Sequence, residues 1–176
     1  MSEEILRAMM ELFALIVKQD GGMLQSERDF VSAFLSKQLP HQSADEFMHI
    51  FLSEAGPLQE KRVETTNQSA SVRDSIRILN NCRKINRTLS QEQRVIVLMR
   101  CLELIDSGKQ YTPQRMNIIN TIAEVFRVSS EEFGSIMQFV RAEERNGFND
   151  RSMLVIETGV AAEKNQTCSN FVVFLK

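Results

Sequence analysis

The sequence predicts an all-α protein, a bundle of about seven helices followed by a short β-rich tail. Apolar residues recur at spacings of three and four over most of residues 3–141. Glycine or proline interrupts this pattern, and helix-capping residues follow the interruptions. After Gly147 the pattern changes to short runs of β-branched and aromatic residues. A chain of 176 residues, 43% hydrophobic and 25% charged, suffices for one such helical core.

The first helix ends at two glycines, Gly21 and Gly22, which adopt left-handed conformations at little cost. Ser26 is predicted to cap the second helix, with Asp29 as its reciprocal partner. Two helices joined by so short a link fold back on each other. Asp20 and Glu27, which bracket the link, should therefore lie at one end of this helical hairpin.

The third helix is predicted to begin at a capping box from Ser43 to Glu46 and to end at Gly56, before a proline. Residues 59–71 are polar and lack apolar periodicity, which indicates a linker or loop. A fourth helix should cover residues 72–88, with one apolar stripe on its buried side formed by Ile76, Ile78, Leu79, Cys82 and Ile85.

Three further helices have recognisable starts. Ser90 and Gln93 form a capping box for the fifth helix, whose apolar residues nearly encircle it and predict a central position. Thr112 caps the sixth helix, and the following proline occupies its first position. Ser129 and Glu132 form the capping box of the seventh helix.

The chain also repeats itself. Residues 23–34 match residues 111–122 at a constant offset, which predicts two pseudo-symmetric three-helix halves, 3–56 and 90–141, bridged by the helix 72–88. Together they would form a helical domain over residues 1–145. Residues 146–176 would be a β-hairpin, packed on the bundle or paired in a homodimer through the C-terminal strands, or the truncated start of a second domain.

Charge is unevenly distributed although the net charge is only −2. Residues 1–58 carry four basic and nine acidic side chains, whereas residues 61–94 carry eight basic and three acidic ones. This layout suits docking to a protein partner, although solvated helix faces of opposite sign also explain it. The basic stripe of the fourth helix lacks interleaved aromatic residues, so nucleic-acid binding is not expected.

The cysteines and the length of the apolar runs predict that the protein is cytoplasmic. Three cysteines without a C-x-x-C pair argue against zinc and a disulfide framework and favour the reducing cytoplasm. No apolar run approaches the roughly 20 residues that a membrane span needs. Acidic and basic residues interrupt the N-terminal helix, so it does not resemble a signal peptide.

Asp20, Glu27 and Asp106 are the candidate metal ligands, because carboxylates at a helix corner suit a hard divalent cation. Another interpretation is that Asp20 contacts turn amides while Glu27 stabilises the first turn of its helix. Arg115 stands where the repeat places the counterpart of Glu27, so at most one metal site is expected. The sequence lacks phosphate-loop, metallohydrolase and nucleophile-elbow motifs, so an enzyme is not expected.

The residues of the first corner, Asp20, Gly21, Met23 and Glu27, resemble the A-D-G-x-[VI]-[ST]-x-x-E motif of the TerB-like family of tellurite-resistance proteins. A second copy, from Asp106 through residues 111–114, resembles the family's D-G-E-I-S-P-Q-E. The resemblance covers residues 3–141. It implies an intracellular seven-helix bundle that serves bacterial stress-response assemblies, is often the N-terminal module of a larger protein, and has acidic corners proposed to bind metal.

Three hypotheses follow. The chain is a non-catalytic regulatory or interaction module, a module that senses a divalent cation through Asp20 and Glu27, or a metal-dependent enzyme. The first is favoured because the chain has faces of opposite charge and no recognisable catalytic motif. A divalent cation is the one cofactor to be considered.

Overall fold

The computed structural model describes residues 2–59 and 72–141 and has the predicted all-α fold. The described residues form seven helices: α1 (Glu3–Lys18), α2 (Gln25–Gln38), α3 (His41–Ala55), α4 (Val72–Thr88), α5 (Gln91–Gly108), α6 (Pro113–Val125) and α7 (Ser130–Arg141). The β-rich tail and most of the polar linker lie outside the described residues. The pseudo-symmetry of the two halves stays a prediction.

Helix α1 forms the centre of the bundle. Eleven of its sixteen residues are buried, and it packs against α3, α4, α5 and α6. Helix α5 is also central, since it contacts α1, α2, α6 and α7 and buries residues 101–105 without interruption. The nearly continuous apolar surface of these two helices is explained by neighbours on several sides.

A short parallel bridge joins the α1–α2 corner to the end of α3. Strand β1 (Met23–Leu24) pairs with strand β2 (Leu58–Gln59), with Met23 opposite Leu58. A side chain on Gly22 would lie 2.2 Å from the carbonyl oxygen of Pro57, and the φ of Gly22 is +152°. Glycine at this position therefore permits the close approach of the two backbone segments.

The predicted caps of α5, α6 and α7 are confirmed. Ser90 accepts from the Gln93 N–H and donates its own N–H to the Gln93 side chain, at 3.5 and 3.0 Å. Ser129 and Glu132 exchange the same pair of bonds, at 3.2 and 2.8 Å. Thr112 Oγ1 accepts from the backbone N–H of Arg115 at 3.4 Å.

The predicted caps of α2 and α3 are wrong. Helix α2 begins at Gln25 because Leu24, held extended in β1, is its N-cap residue; Ser26 lies inside the first turn. Helix α3 begins at His41 because Pro40 has a φ of −60° and an extended ψ, which places the helix start two residues before Ser43.

The predicted burial of Ile76 is also wrong, since 53% of this residue is exposed. Helix α4 buries Ile78, Cys82 and Ile85 against the bundle. At 3.6 residues per turn, Ile76 lies about 200° from Ile78 around the helix and so faces away. No helix among the described residues is long and apolar enough to cross a membrane.

Candidate functional site

Two predicted site residues meet inside the bundle, where the C-terminal ends of α1 and α5 approach the N-terminal ends of α2 and α6. Asp20 follows α1, and Glu27 is the third residue of α2. Thr112 and Arg115, the N-cap and the third residue of α6, contact these acids. We call Asp20, Glu27, Thr112 and Arg115 the acid–arginine cluster.

The guanidinium of Arg115 lies at the centre of this cluster and is completely buried. Its Nη1 donates to Glu27 Oε1, and its Nη2 donates to the backbone carbonyl of Val17 at 3.2 Å. Its Nε lies 2.7 Å from Asp20 Oδ2, but the direction of the N–H group does not meet hydrogen-bond geometry. We therefore describe the contact with Asp20 as an ion pair, which joins one cation to both acids of the first corner.

The carboxylate oxygens have further partners in the cluster. Thr112 Oγ1 lies 3.1 and 3.2 Å from Asp20 Oδ1 and Oδ2 and donates its hydroxyl proton to this carboxylate. Glu27 Oε2 accepts the backbone N–H of Leu24 at 2.8 Å. Together with the contacts of Arg115, these bonds engage all four oxygens of Asp20 and Glu27.

The charges explain why these residues are buried together. An unpaired charge is costly in the interior, so each acid needs a cation or hydrogen-bond donors nearby. The N-terminal end of α2 favours Glu27, whereas an arginine at the N-terminal end of α6 has the unfavourable sign. The two acids offset that effect at Arg115, and with all three groups ionised the cluster carries one net negative charge.

Gly108, the last residue of α5, leaves room for the Glu27 carboxylate because it has no side chain. A Cβ atom built on Gly108 would lie 2.8 Å from Glu27 Oε1. That oxygen is held by Arg115, so it cannot move away without loss of the ion pair. The end of α5 is therefore fitted closely against the buried acid.

Asp106, the third candidate ligand, bonds with residues of its own corner. Its carboxylate lies 3.1 Å from Lys109 Nζ and accepts the hydroxyl of Tyr111 at 2.7 Å. Among the described residues, no group of three or more His, Cys, Asp or Glu side chains is placed to hold a metal ion. The metal assignment of Asp20, Glu27 and Asp106 stays a prediction.

The contact of Arg115 with the first corner was not predicted. The sequence placed Arg115 in the second corner, as a residue that disfavours a cation there. The internal repeat contained a usable signal, because its constant offset of 88 residues matches Glu27 with Arg115, and these two residues form a pair separated by 88 positions. Glu27 and Arg115 have opposite charges at equivalent positions of the repeat, near the starts of α2 and α6. This pattern could have suggested that the two helix starts lie against each other.

Other reactive side chains among the described residues are in surroundings that lower their reactivity. Burial raises the pKa of the Cys82 thiol to about 12, and it also raises the pKa of the Cys101 thiol. Burial and the hydrogen bond to Asp106 raise the pKa of Tyr111 to about 12. These groups stay protonated at neutral pH, which makes them poor nucleophiles.

The fold and the cluster define a class of protein: an all-α bundle of seven helices over its described residues, in which a buried ion-pair cluster joins the ends of α1, α2 and α6. The family model described as tellurite resistance protein TerB matches residues 6–138. The chain therefore belongs to the TerB family, and the resemblance noted in its two corners is confirmed. Searches of curated proteins and of solved structures gave no match.

Proposed function

We propose that this chain is a non-catalytic regulatory module that binds another protein through the outer face of α4, within a bacterial stress-response assembly. The family is not a known enzyme family, which is compatible with this role. The observation that carries the proposal is a row of exposed apolar and basic side chains on α4. We call Val72, Ile76, Arg83 and Arg87 the α4 outer face.

These four residues lie on one side of the helix. Their spacings of four, seven and four residues place them within about 60° of one another at 3.6 residues per turn. Val72 is 79% exposed and Ile76 is 53% exposed, and both arginines are exposed. The face is thus apolar toward the start of α4 and basic toward its end.

The surroundings of the α4 outer face increase its positive charge. Arg73 and Lys84 are exposed beside it. Asp74, the single acidic residue of α4, is buried and lies 3.4 Å from Lys18 of α1. The negative charge of the helix therefore faces the bundle, Arg77 pairs with Glu54 of α3, and the other four basic side chains are exposed.

A partner that fits this face is an acidic protein segment with apolar side chains at one end. Its carboxylates would meet Arg83 and Arg87, and its apolar side chains would cover Val72 and Ile76. Basic residues alone would suit the phosphates of nucleic acid equally well. The two exposed aliphatic side chains favour a protein partner, because their burial contributes to affinity only against an apolar surface.

Site-specific photo-cross-linking in the native host tests this proposal. Ile76 is replaced by benzoylphenylalanine, and Ser36, an exposed residue of α2, is replaced in the same way as a control. We expect position 76 to cross-link to a protein that position 36 does not capture, and the captured protein to contain an acidic segment at the cross-linked peptide. Cross-links to nucleic acid alone, to a second copy of the chain alone, or equal capture from both positions would contradict the proposal.

Charge reversal provides a second measurement. In the position 76 variant, Arg83→Glu with Arg87→Glu should abolish the cross-link, because like charges then face the partner. The matched control is Arg28→Glu with Lys37→Glu, which reverses two exposed charges on α2. The control should leave the cross-link unchanged, and thermal melts should show that both double variants are folded.

A further inference from the structure

The TerB resemblance implies an acidic corner that binds metal, and the contacts of Asp20 and Glu27 can be compared with that role. A divalent cation requires carboxylate oxygens that can turn toward it at about 2.0–2.6 Å. Here all four oxygens already contact Thr112, the Leu24 N–H or Arg115. A second cation at these oxygens would also be repelled by the guanidinium. With Arg115 in place, the corner does not fit a divalent cation.

We infer that Arg115 takes the place of the divalent cation in this chain, so that the acidic corner is closed by an internal counter-ion and the fold is independent of metal. Three oxygens from Asp20, Glu27 and the Val17 carbonyl surround the guanidinium. Carboxylate and backbone carbonyl oxygens are also the ligands that a hard cation takes. The guanidinium of Arg115 is thus bound by the same kinds of oxygen that would bind a metal ion.

The position of Arg115 explains why a free divalent cation does not replace its guanidinium. The residue is completely buried, and its backbone belongs to the first turn of α6. A guanidinium keeps its charge throughout the physiological pH range and binds carboxylates through several N–H groups. A free divalent ion would have to displace a cation that is covalently attached to the bundle.

The inference has a consequence for the variant that lacks the guanidinium. Arg115→Ala leaves two buried carboxylates and a backbone carbonyl without the cation that they share. Their repulsion destabilises the folded state, and a divalent cation would relieve it. Metal dependence should therefore be absent from the wild type and appear in the variant.

Thermal melts of the full chain test both statements. Each protein is melted with EDTA and then with Ca²⁺, Mg²⁺ or Mn²⁺ in turn. We expect no specific change in the Tm of the wild type. Arg115→Ala should melt well below the wild type in EDTA, and saturating Ca²⁺ or Mn²⁺ should restore about 5–10 °C, the shift that a ligand at a hundred times its Kd gives a chain of this size.

Two further variants make the result specific. Adding Glu27→Gln to Arg115→Ala should abolish the recovery with metal, since it removes one of the two carboxylates. Arg115→Lys retains a cation and should remain insensitive to metal. A folded Arg115→Ala variant that responds to no cation would overturn the inference.

The wild type alone can also decide the question if Arg115→Ala does not fold. Isothermal titration of the wild type with Ca²⁺ and Mn²⁺ should give no heat of specific binding. Binding that disappears in the Asp20→Asn, Glu27→Gln variant would overturn the inference and support a metal-sensing module. This outcome is independent of the proposed α4 interaction, which the cross-linking experiment tests separately.

Discussion

The two corners of the bundle have related sequences and different surroundings. In the α1–α2 corner, Asp20 and Glu27 are buried and share one guanidinium. In the α5–α6 corner, Asp106 lies nearer the surface and pairs with Lys109, whose side chain is 64% exposed. Arg115, from the second corner, also contacts the acids of the first corner. Asp20 and Glu27 therefore depend on the second corner for their counter-ion.

This difference shows that the residues of an acidic corner do not by themselves determine what its carboxylates bind. The same residue type, an aspartate at the C-terminal end of a helix, forms a buried ion pair in one place and an exposed salt bridge in the other. What differs is the element packed against it. The comparison predicts that changes in the first corner affect stability strongly, and that changes in the second affect it weakly.

The largest effect is expected when the shared cation is removed. Arg115→Met should lower the free energy of unfolding by about 3–5 kcal/mol, because it leaves two buried carboxylates without their counter-charge. Arg77→Met is the matched control, since Arg77 pairs with Glu54 at 2.7 Å while both side chains are about a third exposed. That control should cost about 1 kcal/mol or less. Urea denaturation of the full chain measures both values, and equal losses would contradict the prediction.

A smaller effect is expected at the backbone of the two corners. Gly22→Ala should cost about 2–3 kcal/mol, because the added Cβ meets the Pro57 carbonyl and the φ of +152° strains any other residue. Lys109 holds the left-handed position of the second corner, with a φ of 51°. Lys109→Gly should change stability by less than about 1 kcal/mol, since relief of strain opposes the added entropy of the unfolded chain.

The control for these glycine exchanges lies in α7. A Cβ atom on Gly134 would meet nothing within 4 Å, so Gly134→Ala should stabilise the fold by about 0.5–1 kcal/mol. Urea denaturation again gives the three values. A loss at Gly22 no larger than the change at Lys109 would show that the two corners tolerate backbone change equally.

The smallest effect is expected at Tyr111, whose hydroxyl donates to Asp106 in the second corner. Tyr111→Phe should cost about 1 kcal/mol at pH 8. The folded-state pKa of Tyr111 is about 12, above its ordinary value of 10.0, so the stabilisation is present below pH 10 and is lost as the pH rises toward 12. The difference between wild type and variant should therefore shrink from pH 8 to pH 11. A constant difference would show that the hydroxyl proton is not held by the fold.

Local signals in the sequence predicted most of the helices, and they failed where a neighbouring element determined the outcome. Ser90 and Thr112 cap their helices through bonds to the next few residues, so their roles could be inferred from spacing alone. Ser26 has an equally good local pattern, but Leu24, which is held extended by the pairing of β1 with β2, caps α2 two residues earlier. Sequence periodicity contains no information on such a contact.

The candidate site shows the same division. Asp20 and Glu27 were expected at one end of a hairpin because the short link between α1 and α2 brings them there. Their counter-ion comes from α6, and apolar spacing does not state which helix ends meet across the core. Ile76 was misplaced for a different reason: it lies about 200° from Ile78 around the helix, so the two residues could not share the buried side that also contains Ile85.

The bonds of Arg115 also set the smallest piece of this chain that can be expected to fold alone. A cut in the segment between α4 and α5 would leave Asp20, Glu27 and the Val17 carbonyl in one fragment and the guanidinium in the other. Each fragment would then expose to water, or bury unpaired, a charge that the intact chain neutralises. The ion-pair cluster is therefore complete only in a piece that extends from α1 through α6.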